Sequence, residues 1–144
     1  MTMYVLDTDM LTLVQEGHPE ASRRFLEHDP EEVAVIVLSV EEQLSGWYTQ
    51  LRKAKSAERL AWAYDRLTNN VRFLSRLQIL TFNKAAIDRF EDLRKRKLKI
   101  GRIDLRIAVT VLEHKSILVT RNSRDFKKVP GLVIEDWWKE RETK

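Results

Sequence analysis

Five short apolar runs punctuate the chain, and the segments between them carry helical spacing. Residues 3–6 form the first run, which stops at Asp7. Residues 33–38 are rich in β-branched side chains and apolar at both odd and even positions. That is the pattern of a strand covered on both faces. Residues 78–82, 117–119 and 132–134 supply three further strands. After the first strand, Asp9 is a candidate cap for a helix reaching Glu16, with Gly17 to end it. His18-Pro19-Glu20 opens a second helix to about His28. Further helices are predicted over about 40–54, 56–77, 85–97 and 103–114. In the longest, Leu60, Tyr64, Leu67, Val71 and Leu74 recur in steps of four and three, a narrow stripe suited to packing on another helix, in the core by preference over an interface. Gly46 falls inside the 40–54 helix, where its poor propensity predicts close backbone approach by a neighbour.

Strands alternating with helices imply a parallel sheet covered by helices. Ligands of such sheets bind beyond the carboxyl ends of the strands, which is where chemistry should be sought. The chain of 144 residues matches a single domain over 1–144. With four glycines and three prolines, no stretch reads as a linker. The start of the chain lacks the basic and long apolar stretches of a signal peptide, and no apolar run is long enough to span a membrane, so a cytoplasmic location is expected.

Composition narrows the chemistry. The absence of cysteine excludes a disulfide framework, a thiolate zinc site and a cysteine nucleophile. Three scattered histidines make a poor imidazole metal site. The 26 basic and 22 acidic residues leave a net charge of +4, so the chain is charge-rich without being a polycation.

Acidic residues recur where the fold rule directs attention. Asp7 is the first polar residue after the first strand, with Asp9 two residues on. Asp104 shares a helix face with Ile107, Ala108 and Val111, an apolar face on which an isolated carboxylate is costly unless the free N–H groups at the helix start or a cation satisfy it. The fourth strand runs into Thr120-Arg121-Asn122-Ser123-Arg124-Asp125, a polar loop at the same sheet edge. After the second strand come Glu41 and Glu42. If these acids converge, their repulsion demands a cation between them, and oxygen ligands without cysteine favour Mg²⁺ or Mn²⁺.

These residues resemble the PIN-domain ribonucleases, in particular VapC-type toxins of prokaryotic toxin–antitoxin pairs. The resemblance runs from Tyr4-Val-Leu-Asp-Thr8 through Gly101-Arg-Ile-Asp-Leu-Arg-Ile-Ala108 and Leu118-Val-Thr-Arg-Asn-Ser-Arg-Asp-Phe126 to Glu135-Asp-Trp137. It implies a three-layer α/β/α sandwich with a central, mostly parallel five-stranded sheet. It implies an acidic quartet of Asp7, Glu42, Asp104 and Asp125, with Asn122 supporting the metal site and Thr120 and Asp9 as further supporting positions. Asp7, Asp104 and Asp125 would be the metal ligands. The family spacing selects Glu42, four residues before Gly46, whereas helical phasing against Val40, Leu44, Trp47 and Leu51 puts Glu41 nearer the apolar stripe.

The resemblance further implies an endoribonuclease dependent on Mg²⁺ or Mn²⁺, a cognate antitoxin and a homodimer. RNA phosphates would meet basic residues between 94 and 106, Lys99, Arg102 and Arg106 among them, and Arg121 and Arg124 beside Asn122. Two other readings compete. Asp7 and Asp9 also resemble the first motif of haloacid-dehalogenase-type phosphatases, and the fold could serve as an inactive RNA- or protein-binding module.

Overall fold

The computed structural model describes residues 2–139. Its strands are β1 (Tyr4–Leu6), β2 (Val33–Ile36), β3 (Gln78–Leu80), β4 (Ile117–Val119) and β5 (Val133–Glu135). Its helices are α1 (Thr8–Gln15), α2 (Pro19–Leu26), α3 (Val37–Lys53), α4 (Ala57–Leu74), α5 (Lys84–Arg94), α6 (Arg102–Glu113) and the single turn α7 (Ser123–Phe126). The strands form one sheet in the order β3-β2-β1-β4-β5. Every neighbouring pair is parallel, so the expected mostly parallel sheet is wholly parallel among the described residues.

Alternation along the strands divides the core between two faces. Val5, Ala34, Ile36 and Leu118 pack with Phe90 of α5, Ile107 and Ala108 of α6 and Phe126 of α7. Leu6, Val33, Val35 and Val119 pack on the other side with Met10 and Leu11 of α1, Leu74 of α4 and Trp137. The result is the three-layer sandwich that the resemblance implied. Chain order explains the layering. From β1 the chain moves outward to β2 and β3, then returns across the sheet to β4 and β5. Right-handed crossovers therefore put helices on both faces, and the direction reverses between β1 and β4.

Several boundaries differ from the sequence reading. The second strand ends at Ile36, and Val37 and Leu38 already belong to α3. Apolar residues run unbroken through that junction, so periodicity had no handle on it. Helix α1 is capped by Asp7, not Asp9: the Met10 N–H donates to Asp7 Oδ1 at 2.8 Å, and the chain passes from strand to helix without a loop. The 123–126 segment is a helical turn where a loop was expected.

The stripe on α4 reaches the core only at its C-terminal end, at Leu74. Leu60, Tyr64 and Val71 are 40%, 54% and 51% exposed, while Ala63, Asn70 and Leu74 face inward. Helical spacing reports an apolar face but not what covers it. Ala63 is the small residue among those turned inward, and small side chains permit close approach of helices. Gly46 also departs from expectation, because a Cβ there would meet nothing within 4 Å.

Candidate active site

Register places the first two site residues side by side. Leu6 lies opposite Val119 in the β1–β4 pair, so the next residues, Asp7 and Thr120, emerge together where the strand order reverses. The Thr120 hydroxyl donates to Asp7 Oδ2 at 2.5 Å and accepts from the Asn122 N–H at 3.0 Å. Asp7 is buried. Burial pushes its carboxyl up to about 6; the bonds from Thr120 and the Met10 N–H pull it down, and the charges of Asp9 and Asp104 add to the rise.

Helix α3 begins at the end of β2 and brings Glu42 over the same edge. Thr8 Oγ1 lies 2.8 Å from both Glu42 Oε1 and Ser39 Oγ. Thr8 has one hydroxyl proton and the carboxylate only accepts, so Thr8 donates to Glu42 and Ser39 donates to Thr8. Glu41 instead borders an apolar hollow with Val37, Val40, Leu44 and Tyr48. Glu41 thus neighbours the apolar stripe, while Glu42 lines the cavity that also holds Asp7 and Asp104.

Asp104 sits in the first turn of α6, whose cap, Gly101, offers no side chain. It makes no hydrogen bond or ion pair among the described residues, so the helix-start N–H groups do not satisfy it. Burial first, then the charges of Glu42 and Asp125, raise its pKa. Asp7, Thr8, Asp9, Thr12, Glu42, Asp104, Arg121 and Asn122 line one cavity of about 670 Å³.

Two of the predicted acids are engaged by protein partners. Asp125 does not border the cavity. It accepts from Asn122 Nδ2 at 3.2 Å and Lys128 Nζ at 3.3 Å, bonds that hold it below the usual aspartate range. Asp9 pairs with Arg121 at 2.6 Å, and Arg121 also lies over Trp138 at 4.6 Å from the ring centre.

Among the basic candidates, Arg121 alone reaches the cavity. Lys99 and Arg102 line a separate groove of about 260 Å³ with Arg94 and Lys97. Arg124 is exposed. Arg106 is a correction: it turns inward over Phe90 and Phe82 instead of joining a basic rim.

Thr8, Ser39, Thr12 and Lys128 are site residues that the sequence reading did not single out. Spacing carried a signal for three of them. Thr8 follows Asp7, Ser39 stands one turn before Glu42, and Lys128 stands one turn after Asp125. Lys128 Nζ also donates to the Lys99 carbonyl at 2.9 Å, which ties the basic segment to the acidic edge.

The donor set fits a hard divalent cation. Four carboxylates line one open cavity, Asp9 among them paired with Arg121; the carboxylate donors are oxygens, and Asp104 has no protein partner among the described residues. Among the described residues no three His, Asp or Glu side chains close tightly enough to enclose an ion unaided. A magnesium-like ion takes one or two carboxylates and keeps several waters, so such a set would hold it only together with water. Thr120→Val tests the support beneath Asp7. It leaves Oδ2 without its donor, so the carboxyl should shift further up and stability at pH 7 should fall by about 1–3 kcal/mol, with a smaller loss at pH 4 where Asp7 is protonated. Urea unfolding at both pH values measures this.

The match to known proteins covers most of the chain. The family model for the PIN domain matches residues 4–132. Ribonuclease VapC2 of Rickettsia felis is 29% identical over 139 residues, covering 94% of this chain and 98% of the relative. The tRNA(fMet)-specific endonuclease VapC of Salmonella typhimurium is 26% identical over 141 residues, covering 95% and 99%. The VapBC2 structure from Rickettsia felis, bound to a promoter DNA fragment, superposes with a TM-score of 0.70 at 28% identity, covering 94% of this chain and 99% of that one. DNA-bound VapBC from Salmonella typhimurium shares the fold with a TM-score of 0.75 at 23% identity, covering 95% and 99%. A wholly parallel sheet with acids at its reversal point, and a family match running from β1 through α7 to residue 132, lead to one assignment: the chain belongs to the PIN domain family.

Proposed function

We propose that the chain is a divalent-metal-dependent endoribonuclease, the toxin of a VapBC-type pair, folded as one domain and acting in the cytoplasm. The observation that carries this reading is Asp104, unpaired and facing the same cavity as Asp7 and Glu42. Mg²⁺ or Mn²⁺ is the ion expected there. When bound, it neutralises the carboxylates, orients a water and stabilises charge on a phosphoryl group.

The chain's own residues set up that chemistry. Thr120 and the Met10 N–H hold Asp7 in a fixed orientation, and each Asp7 oxygen keeps a lone pair for a ligand. Thr8 and Ser39 fix Glu42, which is placed to accept a proton from an attacking water. Asn122 and Lys128 keep Asp125 ionised, so its charge acts on Asp104 from outside the cavity. Asp125 thus supports the site more than it ligates. Asp9 restrains Arg121, whose guanidinium is the cation nearest a phosphate lying across the acids. Lys99, Arg102 and Arg124 extend the positive rim for flanking phosphates.

The relatives in VapBC complexes support a cognate antitoxin as partner. The exposed Leu60, Tyr64 and Val71 on α4 supply an apolar surface suited to a protein partner, either that antitoxin or a second copy of the chain. Among the described residues no helix is long and apolar enough to cross a membrane.

Structured RNAs incubated with the protein test the reading. Cleavage is expected with Mg²⁺ or Mn²⁺, none with chelator, and a loss on the order of 10²–10³-fold in Asp104→Asn. Cleavage that survives both chelator and Asp104→Asn would overturn the assignment of the site. Phosphomonoester hydrolysis through a trapped aspartyl-phosphate would favour the phosphatase chemistry instead.

A further inference from the structure

A second concavity of about 280 Å³ lies beside the acidic cavity, between α1, α3 and α4, and Thr12 lines both. Trp47 and Trp62 form part of its wall, their rings meeting edge to face with centres 5.6 Å apart. Gln15, Gln43, Gln50 and Arg66 surround them. None of these six belongs to the acidic cluster.

Gly46 is the first clue to its use. Glycine weakens a helix interior relative to alanine, and it is usually tolerated where something packs closely. Here nothing lies within 4 Å of the position a Cβ would take, and Gly46 borders the concavity. The missing side chain leaves open space next to two indoles. Asn70 is the second clue. It is 7% exposed, its Nδ2 donates to Gln43 Oε1 at 2.7 Å, and its Oδ1 is buried with no partner. It lines an adjoining hollow of about 200 Å³ that shares Gln15, Trp47 and Arg66 with the first. The Asn70 Nδ2 bond helps to fix the Gln43 amide that lines the first concavity.

We propose that this concavity is a nucleobase pocket, which receives an unpaired base of RNA lying across the acidic cavity; the proposal rests on the nuclease reading above. Thr8 and Thr12, and Glu42 and Gly46, are each separated by one helical turn, about 5.4 Å. That is the reach of the nucleotide next to the one at the acids. The lining suits a base better than an apolar protein side chain. Gln15 and Gln43 pair their amides reciprocally at 3.2 and 2.7 Å, which holds both while Gln15 retains one N–H and one lone pair. Gln50 has no side-chain hydrogen bond among the described residues. A base edge offers matched donors and acceptors to the free groups of Gln15 and Gln50, and its face stacks on indole; an apolar side chain would leave those groups unpaired. Glu16, also at the wall, accepts from an exocyclic amino group and repels phosphate, so the pocket reads the base and the backbone stays at the acids.

The test uses the full chain and a fluorescein-labelled single-stranded RNA hexamer of mixed sequence, with EDTA present to prevent cleavage. Trp62→Ala should weaken binding about tenfold, and Trp62→Phe should keep most of it. Gly46→Leu should also weaken binding about tenfold while its unfolding temperature holds or rises, since leucine is the better helix former and its Cβ meets no neighbour within 4 Å. Equal affinity in wild type, Trp62→Ala and Gly46→Leu overturns the pocket, as does a wild type that does not bind the hexamer. Variants that lose a protein partner yet keep the hexamer would assign the space to a protein side chain and also overturn it. With Mg²⁺ restored, a wild type that binds but does not cleave sinks the nuclease reading alone. Undiminished cleavage by both variants sinks the pocket alone.

Discussion

Asp7→Asn should make the fold more stable at pH 7 while reducing cleavage by on the order of 10²–10³-fold. The two effects share one cause. Burial raises the Asp7 carboxyl to about 6, so at pH 7 the folded chain holds a charge that the unfolded chain holds at less cost. Below about pH 4 the group is protonated in both states and contributes nothing. As pH rises toward 6 the unfolded chain ionises first, and stability falls; above 6 the full penalty, about 2–3 kcal/mol, is in place. Asparagine removes the charge and still caps α1, because its side-chain oxygen can accept from the Met10 N–H. Urea unfolding should therefore show a gain of about 2 kcal/mol at pH 7 that vanishes near pH 4. Mg²⁺ should raise the unfolding temperature of the wild type more than that of the variant. A variant less stable than wild type at pH 7 would mean that hydrogen bonds, not burial, dominate the energetics of Asp7.

Trp137→Ala should cost about 3–5 kcal/mol and threaten folding at physiological temperature. Trp137 is the largest side chain with no exposed surface. It stacks on His28 with ring centres 5.0 Å apart, packs near Tyr4 of β1, and its Nε1 donates to Glu135 Oε1 at 2.9 Å. The next residue, Trp138, lies under Arg121 and stacks on His18. Loosening Trp137 should therefore also free Arg121 from its place beside Asp9. Trp137→Phe keeps most of the packing and loses the indole bond, with an expected loss of about 1–2 kcal/mol. Thermal and denaturant unfolding separate the two variants. Near-equal losses would show that the hydrogen bond, not the packing, carries the residue.

Legibility of the fold tracked the locality of its cause. The five strands were readable because β-branched and apolar runs are short, contiguous and bounded by polar residues. The Val33–Ile36 strand even announced burial on both faces. Its end was not readable, since the apolar run continues into α3 and neither period wins over so few residues. The stripe on α4 was correctly read as an apolar face; of the two uses it allowed, core holds at Leu74 while Leu60, Tyr64 and Val71 are exposed. Which side of a helix meets its neighbours depends on the neighbours, here on how α4 lies against α3.

The same division holds for the candidate site. Asp7, Asp104 and the polar loop from Thr120 were visible as acids or hydroxyls at strand ends and on an apolar helix face. The choice between Glu41 and Glu42 was not, because local phasing and family spacing disagreed. The contacts of Thr8 with Ser39 and Glu42 are made between α1 and α3, more than 30 residues apart. Asp125 was legible as an acid at the right edge, but its bonds to Asn122 and Lys128, and so its place outside the cavity, depend on the turn of α7.

Sequence alone determined the alternation of strands and helices, the absence of thiolate chemistry and the recurrence of acids after strands, because each follows from residue identity or near-neighbour spacing. Tertiary structure decided which acids face one another, that Asp7 is raised by burial, that Arg106 turns inward, and that Gly46 opens a space instead of admitting a neighbour. Those outcomes depend on strand register and helix packing. Both are set by contacts between residues distant in the chain, and no local pattern encodes them.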